Sequence, residues 1–138
     1  MADVSTLLAA IATNVDTTIT DLRAYDYLLD DVEPPVFMVS LPPGDELGRY
    51  DAILNDTAWW TFQGLIVVAR GSDRAAQQQL YDYLSSTGNQ SLKVAIESDI
   101  TLGGYAHALI VERPSRFGTI SIGGMDYWGA EITIRVLA

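Results

Sequence analysis

The C-terminal segment Met125–Val136 alternates apolar and polar residues, and this pattern constrains the fold more than any other stretch. Side chains at every second position share one face of a strand, so the pattern predicts a strand with one covered face. Gly123–Gly124 separates this segment from Thr119–Ile122, which predicts a two-residue hairpin turn with positive φ. A further strand, His107–Glu112, precedes the hairpin and is expected to end at the following Pro114. The inward set is Trp128, Ala130, Ile132, Ile134 and Val136, and the outward set is Glu131, Thr133 and Arg135.

The central stretch Ala58–Asp99 predicts the elements that cover this sheet. Ala58–Ala69 has the length and the β-branched and aromatic content of a strand. Apolar residues recur at helical spacing over Asp73–Leu84, and Ser72 is expected to cap that helix. A second short helix is predicted over Leu92–Ser98. This order of elements indicates helices that pack against one face of a sheet.

The N-terminal third predicts one more helix and two more strands. Val4–Val15 carries a single apolar stripe, and either Asp3 or Ser5 is expected to cap it. Leu22–Leu28 is expected to form a short strand, and Val36–Leu41 a buried one. The whole sequence therefore predicts a single α+β domain over residues 1–138. Its sheet is expected to be twisted and mostly antiparallel, with two or three helices packed on one face.

The stretch Asp45–Thr57 fits no regular template and is long for a connection between strands. Two alternatives are open, an extended projecting hairpin arm and a disordered surface loop. Large apolar residues are frequent in it, and aromatic side chains are enriched at protein interfaces. The candidate residues for a subunit or partner interface are Leu47, Arg49, Tyr50, Ile53, Leu54 and Trp59.

The charge balance argues against a nucleic-acid binder. The 138 residues include 18 acidic and 8 basic ones, for a net charge of −10, and only Arg113 and Arg116 approach a basic pair. The acidity serves either solubility or a surface that repels nucleic acid passing nearby. Cysteine is absent, which excludes disulfides and thiolate metal sites. No apolar run is long enough to span a membrane, and the N-terminus lacks a signal-peptide pattern.

Motifs for catalysis are weak throughout the sequence. The single histidine, His107, lies in a predicted strand and is interpreted as structural. Gly71–Ser72–Asp73 lacks the lysine of a phosphate-binding loop and is interpreted as a helix cap. The acidic pair Asp30–Asp31 lacks the spaced oxygen ligands of a calcium loop. We therefore expect no enzymatic activity, no catalytic residues, no cofactor and no metal site.

Three segments carry a resemblance to a known class of proteins: Ala69–Leu84, Ser91–Gly104 and Gly123–Ala138. With the helix layout and length, they resemble the tail-completion proteins, and especially the tail terminators, of long-tailed bacteriophages of actinobacteria. The resemblance implies a subunit of a ring, expected to be a hexamer, that caps the tail tube and stops its polymerisation. It also implies a docking surface for the head–tail connector, or stopper, protein.

The same resemblance implies a location and a set of partners. The chain is expected at the head–tail junction of the virion after assembly in the host cytoplasm, with its own copies, the tail tube protein and the connector as partners. DNA would pass through the ring without specific binding, and no membrane is involved. A head–tail connector (stopper or neck) ring protein is the alternative role, and a monomeric ligand-binding domain is a more distant one.

Overall fold

A twisted, mostly antiparallel sheet of six strands forms the centre of the protein, as seen in a computed structural model. The structure describes residues 3–42, 48–50, 58–70 and 74–138, with 48–50 and 70 described by their backbone. The strand order is β1-β2-β4-β6-β5, and β3 pairs with the beginning of β4. β1 runs parallel to β2, and the other pairs are antiparallel. The strands are β1 (Arg23–Tyr25), β2 (Val36–Ser40), β3 (Gly48–Tyr50), β4 (Ala58–Arg70), β5 (Ala108–Ile122) and β6 (Met125–Leu137).

The helices lie on one face of this sheet, so the predicted α+β class is confirmed. They are α1 (Val4–Thr18), α2 (Arg74–Leu84) and α3 (Leu92–Ile96), followed by 3₁₀ turns at Glu97–Asp99 and Leu102–Gly104. Of the two expected caps for α1, Asp3 is the one observed, and its carboxylate accepts a hydrogen bond from the Thr6 N–H at 2.8 Å. That bond lowers the pKa of Asp3, since it favours the charged carboxylate. Ser91 caps α3 in the same way.

The main core lies between the helices and the first face of the sheet. The inward positions of β6 that the alternation predicted are confirmed, because Ala130, Ile132, Ile134 and Val136 are buried there. Phe62 and Ile66 of β4 are fully buried beside them. Burial of each large side chain of this kind contributes about 1.5–3 kcal/mol relative to its exposed state. The hairpin turn is also confirmed, with φ of 59° at Gly123 and 80° at Gly124.

A smaller apolar cluster covers only half of the second sheet face. Val36, Met38, Val67 and Tyr127 pack there with Val32, which belongs to the connection between β1 and β2. That connection reaches the tip of the β5–β6 hairpin, because a side chain at Gly123 would overlap the carbonyl group of Asp30. The other half of the second face, near the beginning of β4, has no such cover among the described residues.

Two predictions about strands were wrong. Leu22–Leu28 was expected to be one strand, but only Arg23–Tyr25 pairs with the sheet. His107–Glu112 and Thr119–Ile122 were expected to be separate strands, but both belong to the 15-residue β5, which continues through Pro114. The strand continues through Pro114 because β5 lies at the edge of the sheet. At an edge, the N–H that proline lacks can face away from the neighbouring strand, so no hydrogen bond between strands is lost.

Candidate functional site

On the uncovered half of the second sheet face, neighbouring strands bring exposed apolar and charged side chains together. We call this half the open face, and its residues are Trp59, Ile110, Glu112, Arg113, Arg116, Glu131 and Arg135, of which Glu112 and Arg113 also line the cavity between α2, α3 and β5. The strand register places them side by side, since Ile110 lies opposite Arg135 and Ser115 lies opposite Glu131. The exposed fraction is 38% for Trp59 and 54% for Ile110, which is high for large apolar residues on a sheet.

Ion pairs fix the charged side chains of the open face. The Arg135 guanidinium lies 5.5 Å from the centre of the Trp59 ring and 3.7 Å from the Glu112 carboxylate. Arg116 Nε lies 3.1 Å from Glu131 Oε2. The Glu131 side chain is only 8% exposed, so its charge needs the Arg116 partner to offset the loss of hydration. Arg113 has no ion-pair partner among the described residues, and the described charges of the open face are three arginines and two glutamates.

A bulge in β5 brings Arg116 to the open face and sends its neighbour Phe117 to the helix side. The register shifts between Ser115 and Gly118, and Arg116 has a φ of 52°. Phe117 then stacks on Tyr81 with ring centres 5.6 Å apart and meets Trp128 edge-on at 5.2 Å. The bulge therefore directs one side chain to each face of the sheet, and bulges at sheet edges commonly redirect side chains in this way.

Glu97 forms a hydrogen bond with the backbone at the beginning of the free edge of β5. Its Oε2 accepts a hydrogen bond from the Val111 N–H at 2.9 Å, and the Lys93 ammonium lies 2.6 Å from its Oε1. An unpaired edge N–H is a place where another strand can add, so this bond blocks pairing at Val111. The edge beyond Val111 has no comparable bond in the described part of the chain.

A second exposed surface lies in the connection between β1 and β2, residues 26–33, which we call the acidic loop. It carries Asp26, Asp30, Asp31 and Glu33, and among the described residues their one ion-pair partner is Arg23, which pairs with Glu33 at 3.0 Å. Tyr27 and Leu28 project from it and are 55% and 54% exposed.

Interior contacts fix the acidic loop in place. Val32 is buried, and the Leu29 N–H donates to Met38 Sδ at 3.3 Å. The loop is therefore attached to the covered half of the second face.

Of the six predicted interface residues, Trp59 lies at the open face and is 38% exposed. Arg49 and Tyr50 belong to β3, where they pair with Trp59 and Ala58, so the backbone there forms an antiparallel pair with β4. Leu47, Ile53 and Leu54 lie outside the described residues. Sequence reasoning missed Ile110, although an apolar residue at an outward strand position was the available signal.

The described residues offer little for catalysis. No group of three or more potential ligands among them could hold a metal ion. His107 is exposed and precedes β5, where its N–H donates to the Leu137 carbonyl at 2.8 Å. Asp99 accepts hydrogen bonds from the Thr101 side chain and from backbone N–H groups, and these lower its pKa. Asp99 thus organises its own turn. The predicted cap at Ser72 lies outside the described residues.

Comparisons with known proteins give no family assignment. No protein-family model matches the chain, and no curated protein is significantly similar to it. Within the described residues, no helix combines the length and the hydropathy needed to cross a bilayer. The site itself defines a class only in broad terms, as an α+β protein with two unlike exposed surfaces.

Proposed function

We propose that this chain is a structural virion protein, a tail terminator. Copies of it form a hexameric ring that caps the tail tube, stops its polymerisation and provides the docking surface for the head–tail connector. The observation that carries the proposal from the structural side is the presence of two unlike surfaces on one subunit. These are the acidic loop and the open face, whose described charges are three arginines and two glutamates. A ring built by head-to-tail contacts needs two different, complementary patches on each subunit.

The segments that resemble tail terminators coincide with structural elements that support these surfaces. Ala69–Leu84 includes α2, which packs on β4, and Gly123–Ala138 includes β6, which carries Glu131 and Arg135. The net charge of −10 also suits a ring through which DNA passes, since an acidic wall would not hold the phosphate backbone. The proposed location is the head–tail junction of the virion.

A monomeric ligand-binding role has less support. A cavity between α2, α3 and β5 has a volume of about 140 Å³ and is lined in part by Tyr83, Lys93 and Ile132. A groove between α1 and β1 has a volume of about 220 Å³. Small-molecule sites usually enclose roughly 300–1,000 Å³, so neither space suits an ordinary ligand. A head–tail connector remains the runner-up because it would use the same kind of ring.

The experiment that tests the proposal is a polymerisation assay with purified tail tube protein. Tubes are grown alone, with the wild-type chain, and with the variant Trp59→Ser, and their lengths are measured by negative-stain electron microscopy. We expect the wild-type chain to shorten the tubes and to appear as a ring at one tube end. Trp59→Ser should shorten the tubes less than wild type, whereas Ile100→Ser, which makes the same kind of change at an exposed residue away from the open face, is the matched control and should act as wild type. Tubes of unchanged length with no ring at their ends would refute the terminator role.

A further inference from the structure

We infer that the acidic loop of one copy docks onto the open face of a neighbouring copy. This contact rests on the proposed ring, and it names the two surfaces that join its subunits. The partner is thus a second copy of this chain, bound in a head-to-tail arrangement. Both surfaces are described in the same subunit, so each can be altered separately.

Charge complementarity is the first argument. The acidic loop holds four carboxylates beside one arginine, whereas the open face holds three arginines and two glutamates. On the open face, Arg113 has no carboxylate partner in the described part of the chain, while Asp30 and Asp31 of the loop are exposed. Complementary charges of this kind orient two partners and suppress contacts between like surfaces.

Apolar complementarity is the second argument. Tyr27 and Leu28 of the acidic loop are each more than half exposed, and Ile110 of the open face is exposed to the same extent. Trp59 offers a further 38% of its surface. Each surface therefore combines exposed large apolar side chains with charges of one prevailing sign. A small apolar centre with a charged rim is the usual anatomy of a protein–protein interface.

The loop cannot reach the open face of its own chain. Val32 is buried under the covered half of the second sheet face, and the Asp30 carbonyl lies against the hairpin tip at Gly123. The Leu29 N–H is bonded to Met38, which lies in the same cluster. An acidic loop on the open face must therefore come from another molecule. Because the loop is already held in shape, little conformational freedom is lost when it binds.

Two charge reversals and their mixture test the contact. The loop variant is Asp31→Lys, and the face variant is Arg113→Glu; both residues are exposed and neither has an ion-pair partner among the described residues. Self-association is measured by light scattering and sedimentation at low salt. We expect each variant alone to associate at least roughly tenfold more weakly than wild type, since the contact then joins like charges. An equimolar mixture should recover association, because each variant's altered surface then meets its complement.

Matched controls separate this contact from general effects of charge. Asp82→Lys and Arg74→Glu make the same charge changes on α2, in the helix layer, and should associate as wild type. Leu28→Ser should weaken association without any charge change, whereas Ile100→Ser, at a residue 49% exposed elsewhere, should not. Circular dichroism and thermal melting confirm that each variant is folded. Added salt should reduce the difference between the charge variants and wild type.

The outcomes distinguish this contact from the proposed function. If wild type forms a ring and both charge variants do so equally well, the contact is wrong while the terminator role stands. A wild-type chain that stays monomeric both alone and with tail tube protein overturns the contact. In that case the tube-length assay decides the terminator role separately. Recovery of association in the mixture of the two variants, with wild-type association of both α2 controls, supports the contact.

Discussion

Glu97 is expected to stabilise the fold by joining the end of α3 to the free edge of β5, and Glu97→Ala removes this link. The carboxylate accepts from the Val111 N–H at 2.9 Å, and hydrogen bonds to charged groups contribute about 1.5–3 kcal/mol. The Glu97 side chain is 24% exposed, so we take the lower end of that range. The ion pair with Lys93 adds only about 0.3–0.5 kcal/mol, because the Lys93 side chain is 40% exposed.

The expected loss is therefore about 2 kcal/mol in the free energy of unfolding, measured by urea denaturation. For a chain of this length it corresponds to a decrease in Tm of roughly 6–10 °C. Glu97→Gln keeps an acceptor for the Val111 N–H and should lose about half as much. Lys93→Ala removes only the ion pair and should lose about 0.5 kcal/mol. Amide hydrogen exchange should accelerate at Val111 in Glu97→Ala. An unfolding free energy within about 0.5 kcal/mol of wild type, with unchanged exchange at Val111, would show that the Glu97 carboxylate does not stabilise the edge of β5.

Other predictions concern close packing and pH. At Gly64, an added Cβ would lie 2.6 Å from Cε1 of the fully buried Phe37, so Gly64→Ala should destabilise by about 1–3 kcal/mol. In a double-mutant cycle with Phe37→Leu, the double variant should lose less unfolding free energy than the two single variants lose together. Losses that add strictly would contradict a clash between the new methyl group and the Phe37 ring. The folded-state pKa of Asp99 is lowered, so its stabilising effect is present above its unfolded pKa of about 3.9 and is lost as pH falls through the folded pKa. The stability difference between wild type and Asp99→Asn should therefore be constant near neutral pH and shrink below about pH 4; a pH-independent difference would contradict this.

The parts of the fold that the sequence predicted are those with local signals. The β6 alternation and the Gly123–Gly124 turn depend on residues close in the chain, and both are confirmed. The continuation of β5 through Pro114 was missed because it depends on β5 being an edge strand, which is a property of the whole sheet. The length of β1 was overestimated because Tyr27 and Leu28, which continue the apolar pattern after it, are more than half exposed in a loop and do not pair with β2.

In the candidate site too, the sequence predicted what has a local signal and missed what depends on strand pairing. Trp59 was identified because a large aromatic stood beside an irregular segment, and it is exposed. Ile110 and Arg135 become neighbours only through the register of β5 and β6, which the sequence alone does not supply. Glu131 was predicted to point away from the helix-side core, and it does. Its side chain is nevertheless buried on the second face of the sheet. A bulge in the neighbouring strand places Arg116 beside it.

The length of tails assembled without this chain shows whether it terminates tail polymerisation. A phage in which the gene is disrupted is grown, and the tails in the lysate are measured by electron microscopy, with the wild-type gene supplied in trans as the control. A tail terminator stops polymerisation of the tube, so we expect tails that are longer than normal and variable in length. Detached tails of normal length beside heads that have lost their DNA would contradict it and would indicate a head–tail connector instead.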